Sequence, residues 1–350
     1  MSRQISRRDF LKFSGLALAS LAFKPAFDFG ELQENDQIAR IAIDSVSVHS
    51  QPDETSDIKF QRYRDELVNI YYEVVSDKAP KYNPLWYRVW GGFIHSAHLQ
   101  RVSVKLNPVP SSLTEGLHLI EVTVPYSQSL FQRKPGEWTD SYRLYYDTVH
   151  WVAGLAEGLD GEPWYRIRDE MLKYEESLDY YIPAKHARMI PVEETTPISH
   201  DVPQEKKRIE VSLSDQELTA FQDEIVVLKT KISSGLNYTP PGETTWKTPT
   251  GKFNIQSKMP SKHMGNSEPY SNAQPGAYVL PGVSWVSFFE MKNGVAFHGT
   301  HWHQNFGMPM SHGCINMKTE EARWLFRWVT PVADMQKMET RGYGTQVTVY

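Results

Sequence analysis

Apolar and polar residues alternate in short runs along most of the chain, and turn-forming residues close each run. Ile41-Ala42-Ile43 and Val46-Ser47-Val48 open the series and stop at Ser50-Gln51-Pro52-Asp53. Trp86-Tyr87-Arg88-Val89 meets a Gly91-Gly92 turn and continues as Phe93-Ile94. Such alternation marks half-buried strands, and several short strands spaced by turns predict a small β-barrel over residues 38–105. The same order of signals then recurs. Val122-Thr123-Val124 stands for Val46-Ser47-Val48, Trp164-Tyr165-Arg166-Ile167 for Trp86 to Val89, and Tyr181-Ile182 for Phe93-Ile94. The Trp residues are 78 positions apart (164 − 86) and His98 and His186 are 88 apart, so a second module, residues 116–192, carries about ten extra residues near 169–180.

The stretch from Pro191 to Pro203 is rich in proline and polar residues, and residues 193–206 read as a linker. A final domain, residues 207–350, opens with Ile209, Val211 and Leu213 alternating with polar residues. Further strands are expected at 224–232, at 252–256 after the Thr248-Pro249-Thr250-Gly251 turn, and at 345–350. Residues 261–282 are dense in Ser, Asn, Pro and Gly and read as a long loop placed to cover a site. Thr319 is the expected cap of one helix running to about Val329, with Glu320 and Glu321 in its first turn. The expected fold is mainly β.

The N-terminus changes the picture. Arg7-Arg8 followed by Phe10-Leu11-Lys12 and a short apolar stretch to Phe23 has the form of a twin-arginine export signal, assigned to residues 1–30. Small residues at the right offsets fit cleavage after Ala19 or Ala22. The expected location is therefore the cell envelope, either periplasm or extracellular wall. The export machinery is a partner, and membrane contact is confined to the signal if it stays uncleaved. A net charge of −5 with no basic stripe argues against a nucleic-acid partner.

Export makes the single cysteine informative. One thiol can form no internal disulfide, and in an oxidising compartment it needs a reason to be there. Four of the 12 histidines fall between His298 and His312, just ahead of Cys314. A thiolate is the nucleophilic form, so a catalytic Cys needs a base. If the chain is extended there, His312 points the same way as Cys314, while His298 can approach only through the fold. Gly299 and Gly313 permit close backbone approach, and the amides around Gly313 and Cys314 are candidates for an oxyanion hole.

The run His298-Gly299-Thr300 followed by Ser311-His312-Gly313-Cys314-Ile315-Asn316 resembles the signature of L,D-transpeptidase catalytic domains. Ser233-Ser234-Gly235 and Thr248 to Ile255 resemble that family's strand-and-turn pattern, so the resemblance covers about residues 207–350. It implies a β-sandwich-like fold and a cysteine acyltransferase acting on peptidoglycan stem peptides, with no metal or organic cofactor. By the resemblance, Cys314 attacks the peptide carbonyl, His298 is the general base held by the Gly299 carbonyl, and His312 supports the site. Trp302, Ser311 and Asn316 fall on substrate-binding positions; many relatives carry Arg where Asn316 stands. His301 and His303 read as solvated or supporting residues. The two N-terminal modules resemble bacterial SH3-like domains, which implies wall binding, although plain spacers would carry the same core Trp residues.

Three rival readings remain. A zinc site drawn from His298, His301, His303, His312 and Cys314 lacks the nearby carboxylate base usual for hydrolytic zinc. A papain-related endopeptidase would place Cys before His, the reverse of the order here. A non-catalytic wall-binding scaffold would have no use for His298, His312 and Cys314 together.

Overall fold

The computed structural model describes residues 37–134, 136–170, 179–241, 245–265 and 279–350, and all of these belong to one compact unit, Asn35–Tyr350. The expected signal at 1–30 lies outside the described residues. The architecture is mainly β.

Residues 38–102 form a three-stranded sheet (Leu67–Asn69, Ile38–Ile41, Leu99–Val102) and a five-stranded sheet (Ile58–Tyr63, Ser45–His49, Gly92–His95, Leu85–Val89, Tyr72–Val75). Val46, Val48, Tyr87, Val89 and Ile94 supply their shared core. Trp86 is fully buried, edge-on to His49 at 5.5 Å, so its indole packs the interior. Residues 118–189 instead form one seven-stranded sheet, whose outer hairpin pairs Tyr126–Lys134 with Glu137–Tyr145. One hairpin register is common to both segments: Tyr87 pairs with Ile94 and Tyr165 with Ile182. In both copies a short 3-10 turn follows, at Ser96–His98 and Ala184–His186.

Residues 207–349 build two five-stranded sheets. One runs Ile225–Lys231, Glu217–Gln222, Lys207–Ser212, Gln346–Val349, Gly251–Asn254; the other runs Ile315–Met317, Val295–Gly299, Val279–Glu290, Ser257–Gly265, Thr340–Arg341. Ile209, Val211, Phe297 and Ile315 from the sheets meet Leu325 and Phe326 of the helix Thr319–Trp328 in one core. Leu119, Val149 and Trp151 join the same core, so the second repeat and this domain share an interior. Burial of that many apolar side chains is the main force holding them as one body.

Three expectations change. Residues 261–282 are not one loop: Ser257–Gly265 and Val279–Glu290 are paired strands, and only 266–278 lie outside the described residues. Gly282 sits at φ +72°, where a Cβ would lie 2.1 Å from the His150 ring. This glycine permits close approach of the second repeat and does not mark a loop. Residues 193–206 are strapped down, because Arg327 donates to the Thr196 and Glu193 carbonyls and Glu194 pairs with Arg188 and Arg323. Finally, Lys318 keeps strand-like φ and ψ, so the helix begins at Thr319 with no side-chain cap.

Candidate active site

Val295–Gly299 and Ile315–Met317 run parallel, with Phe297 beside Ile315 and His298 beside Asn316. Val295, Phe297, Ile315 and Met317 face the main core. Ala296, Cys314 and Trp302 instead gather in a smaller cluster with Met259, Val283 and Phe288. Alternation along each strand therefore puts His298 on the Ala296 and Cys314 side. Extending the register back by one residue sets Cys314 level with Ala296, and His298 one diagonal step away, roughly 8 Å between Cα atoms from strand spacing and rise.

His298 is 2% exposed, and its Nδ1 lies 3.0 Å from the Gly299 carbonyl. A carbonyl only accepts, so Nδ1 carries the proton in this bond and Nε2 is the basic nitrogen. Burial pushes the imidazole down to about 4, partly opposed by that hydrogen bond. Trp302 packs 5.8 Å from the His298 ring. Burial pushes the Cys314 thiol up to about 11, against a smaller opposing pull from the Ala296 backbone. Its Sγ donates to the Gly294 carbonyl at 3.5 Å. The thiol and the imidazole each rest neutral.

The loop that carries Cys314 is braced by hydrogen bonds. The Ser311 hydroxyl donates to the Cys314 carbonyl and accepts from the Gly313 amide. The Thr248 hydroxyl accepts from the Gly235 amide at 2.8 Å and donates to the Gly313 carbonyl at 2.7 Å. Gly313 sits at φ +128°, and a Cβ on Gly235 would lie 2.0 Å from the Trp246 carbonyl. These contacts revise three expectations. The Gly313 amide, expected in an oxyanion hole, donates to the Ser311 hydroxyl. The Ser311 hydroxyl holds the loop, with both its donor and acceptor roles in use. The chain bends through residues 312–314, so the strand rule does not aim His312 at the sulfur; its exposed ring stacks 3.8 Å from Trp246.

Thr248 had appeared in the sequence only as part of a turn. Thr248→Val keeps shape but removes both bonds and leaves the Gly235 amide unpaired. We expect a loss of about 1–3 kcal/mol of stability and a fall in kcat, read by thermal melting and turnover. Unchanged melting and turnover would show that the brace is dispensable.

Asn316 and the other histidines of the segment, His301 and His303, are buried. Asn316 is 1% exposed, and its amide meets His303 Nε2 at 2.9 Å. His303 Nδ1 accepts from the Asn305 backbone amide at 3.2 Å, and Asn316 Nδ2 is the atom that lies against Nε2. His301 and His303 are buried, not solvated. His301 packs 5.3 Å from the Tyr145 ring, and His298, His301 and His303 all pack around Trp302; among the described residues no group of three or more His, Cys, Asp or Glu is gathered to hold a metal. The first repeat touches this loop: the Gln304 amide donates to the Ala97 carbonyl, and the Asn83 amide reaches Asn305.

Burial holds His150, His298 and His303 near 3, 4 and 3, and lowers His301 as well. Each stays neutral in the fold but binds a proton in the unfolded chain below about 6.5. They therefore favour folding above that pH, and the contribution is lost as pH falls through the lowered values. Asp147 and Glu170, raised to about 8 and about 7 mainly by burial, act in the opposite sense. With His98 also lowered and Glu321 also raised by burial, five histidines outweigh three carboxyls, so the urea midpoint should fall between pH 6.5 and 4.5. A flat or rising midpoint would contradict this balance.

Residues 206–349 match the family model YkuD, the L,D-transpeptidase catalytic domain. No curated protein sequence matches the chain. Among solved structures, a cysteine-to-serine mutant of Enterococcus faecium L,D-transpeptidase is similar at 25% identity over 41% of this chain and 50% of that one, with a TM-score of 0.31. This chain therefore spans about half of that relative's length. The isolated E. faecium catalytic domain is similar at 27% identity over 41% and 96%, TM-score 0.29. A Xylanimonas cellulosilytica L,D-transpeptidase fragment is similar at 26% identity over 41% and 60%, TM-score 0.27.

Proposed function

We propose that residues 206–349 catalyse acyl transfer on peptidoglycan stem peptides through Cys314, as an L,D-transpeptidase. The observation that carries this reading is His298, held by Gly299 in the tautomer with a basic Nε2, on the strand face shared with Cys314. The family match over the same residues supports it.

Sγ attacks the carbonyl between the third and fourth residues of a stem tetrapeptide while His298 Nε2 takes the thiol proton. The Cys314 amide steadies the oxyanion, which is commonly a large term in acyl transfer. The tetrahedral intermediate collapses to a thioester as the proton passes to the leaving amine, releasing D-Ala. An amine of a second stem then attacks the thioester, giving a 3→3 cross-link and restoring the thiol. Because the thiol rests near 11, proton transfer accompanies attack and no standing ion pair precedes it. Trp302 packs 5.8 Å from the His298 ring, which supports reading it as a residue of the donor pocket. His312, exposed on Trp246, forms part of the rim.

Water as acceptor would make the same site an L,D-carboxypeptidase, and a protein lysine would make it a wall-anchoring enzyme. The Arg7-Arg8 signal supports export to the envelope, and the repeats are read as SH3-like modules that hold the enzyme to the wall. Incubation with a disaccharide tetrapeptide, followed by mass spectrometry of the products, tests the acceptor. Cross-linked dimer with free D-Ala is expected. Tripeptide with no dimer would replace transpeptidation by hydrolysis.

A further inference from the structure

The loop that links His298 to Ser311 carries Trp302 and His303, and its ends are tied to the catalytic domain. The Thr300 amide donates to the Met317 carbonyl, and the Gly307 and Met310 amides donate to the Ile232 and Ser234 carbonyls. The middle of the loop has a different anchor. The Gln304 amide donates to the Ala97 carbonyl at 2.8 Å, and Asn83 Nδ2 lies 3.3 Å from both the Gln304 carbonyl and Asn305 Oδ1. Asn83 and Ala97 belong to the first repeat. From the catalytic domain, the Ser233 hydroxyl donates to the Asn305 carbonyl at 3.1 Å.

Asn83 is 7% exposed, and its surroundings fix which way its amide points. Its Oδ1 accepts from the Ser96 hydroxyl at 2.9 Å and from the Leu85 amide at 3.4 Å, and its backbone carbonyl accepts from His95 Nε2 at 2.8 Å. The acceptor end is thereby taken, which leaves the two amide donors for the loop. A flipped amide would set Oδ1 against two carbonyl oxygens and its nitrogen against the Leu85 amide, so one orientation alone satisfies the groups around it. We propose that Asn83 is a positioning residue for the donor substrate: through Gln304 and Asn305 it fixes the loop that holds Trp302 beside His298. The first repeat then completes the active site, in addition to any part it takes in holding the wall. The inference rests on the acyl transfer proposed for Cys314.

Asn305 connects this hold to the site. Its amide donates to His303 Nδ1, and His303 Nε2 lies 2.9 Å from Nδ2 of Asn316, the residue paired with His298. Trp302 directly precedes His303 and packs 5.8 Å from the His298 ring. His298 itself stands on the strand Val295–Gly299, and Cys314 directly precedes the strand Ile315–Met317. Releasing residues 303–305 therefore displaces contacts to the substrate before it disturbs thiol or base. Misplacement by about 1 Å, even from a change far from the chemistry, can cost about 100-fold in rate.

Asn83→Ala in the full chain tests this with three readouts. Hydrogen exchange at the Gln304 and Asn305 amides should quicken by at least about tenfold, with Gly307 and Met310 unchanged. The kcat/KM for release of D-Ala from a disaccharide tetrapeptide should fall about 10–100-fold, with the loss taken mainly in KM. Alkylation of Cys314 by iodoacetamide should stay within about twofold, because that small reagent needs the thiol and not the loop. Ser96→Ala removes only the hydroxyl that orients the amide, and it should shift exchange and KM the same way by at least about threefold. It decides the matter if Asn83→Ala fails to fold. Unchanged exchange at Gln304, an unchanged KM, or alkylation altered as much as turnover would overturn the proposal. A parent chain that releases no D-Ala would defeat the proposed reaction instead, and the exchange readout would still decide whether Asn83 holds the loop.

Discussion

Cys314→Ala should stop release of D-Ala from a stem tetrapeptide, lowering kcat by at least about 10⁴-fold, while the protein remains folded. The side chain packs among Ala296, Trp302 and Met259 at the edge of a small cluster, so losing one sulfur removes little packing. Nothing else near it can replace the nucleophile. It is the only cysteine, and the Ser311 hydroxyl is engaged with the Cys314 carbonyl and the Gly313 amide. Cys314→Ser is expected to be almost as inactive, because a hydroxyl is far harder to deprotonate beside a base held near 4. Activity within tenfold of the parent in either variant would move the chemistry elsewhere.

His298→Gln should be nearly as damaging, and its pH signature separates catalysis from structure. With the thiol at about 11, only about one molecule in 10⁴ carries thiolate at pH 7 by simple titration, so a variant without the base loses about 10³–10⁴-fold. Its residual rate should then climb about tenfold per pH unit toward 11. In the parent, His298 is neutral and able to accept a proton above about 4, so kcat/KM should hold through the weakly acidic range and fall as pH drops through 4. A merely structural histidine would lower activity without steepening the alkaline limb. The same values imply slow alkylation of Cys314 by a simple electrophile at pH 7, so sluggish labelling does not argue for a non-catalytic scaffold.

What could be read from the sequence was local. Strands such as Lys207–Ser212 announced themselves because one face is buried and the other is not, as Ile209 and Val211 require. The motif from Ser311 to Asn316 was legible for the same reason, since its parts are neighbours in the chain. Where the reading failed, distant packing decided. Val279–Glu290 is buried on both faces and has no alternation to display, and its Pro281 and Gly282 looked like loop residues. His312 was aimed at the sulfur by a strand rule that the bend at Gly313 cancels. The burial of Asn316 and His303, the brace from Thr248, and the contact of Ala97 with Gln304 all join residues far apart in sequence.

The central claim is a covalent bond to one sulfur. Intact-protein mass spectrometry with peptide mapping, after brief incubation with a disaccharide tetrapeptide, reads it directly. The account predicts an adduct on Cys314 equal to the substrate less D-Ala, absent from Cys314→Ala and scarcely formed by His298→Gln. An adduct on another residue, or D-Ala released equally by Cys314→Ala, would contradict it.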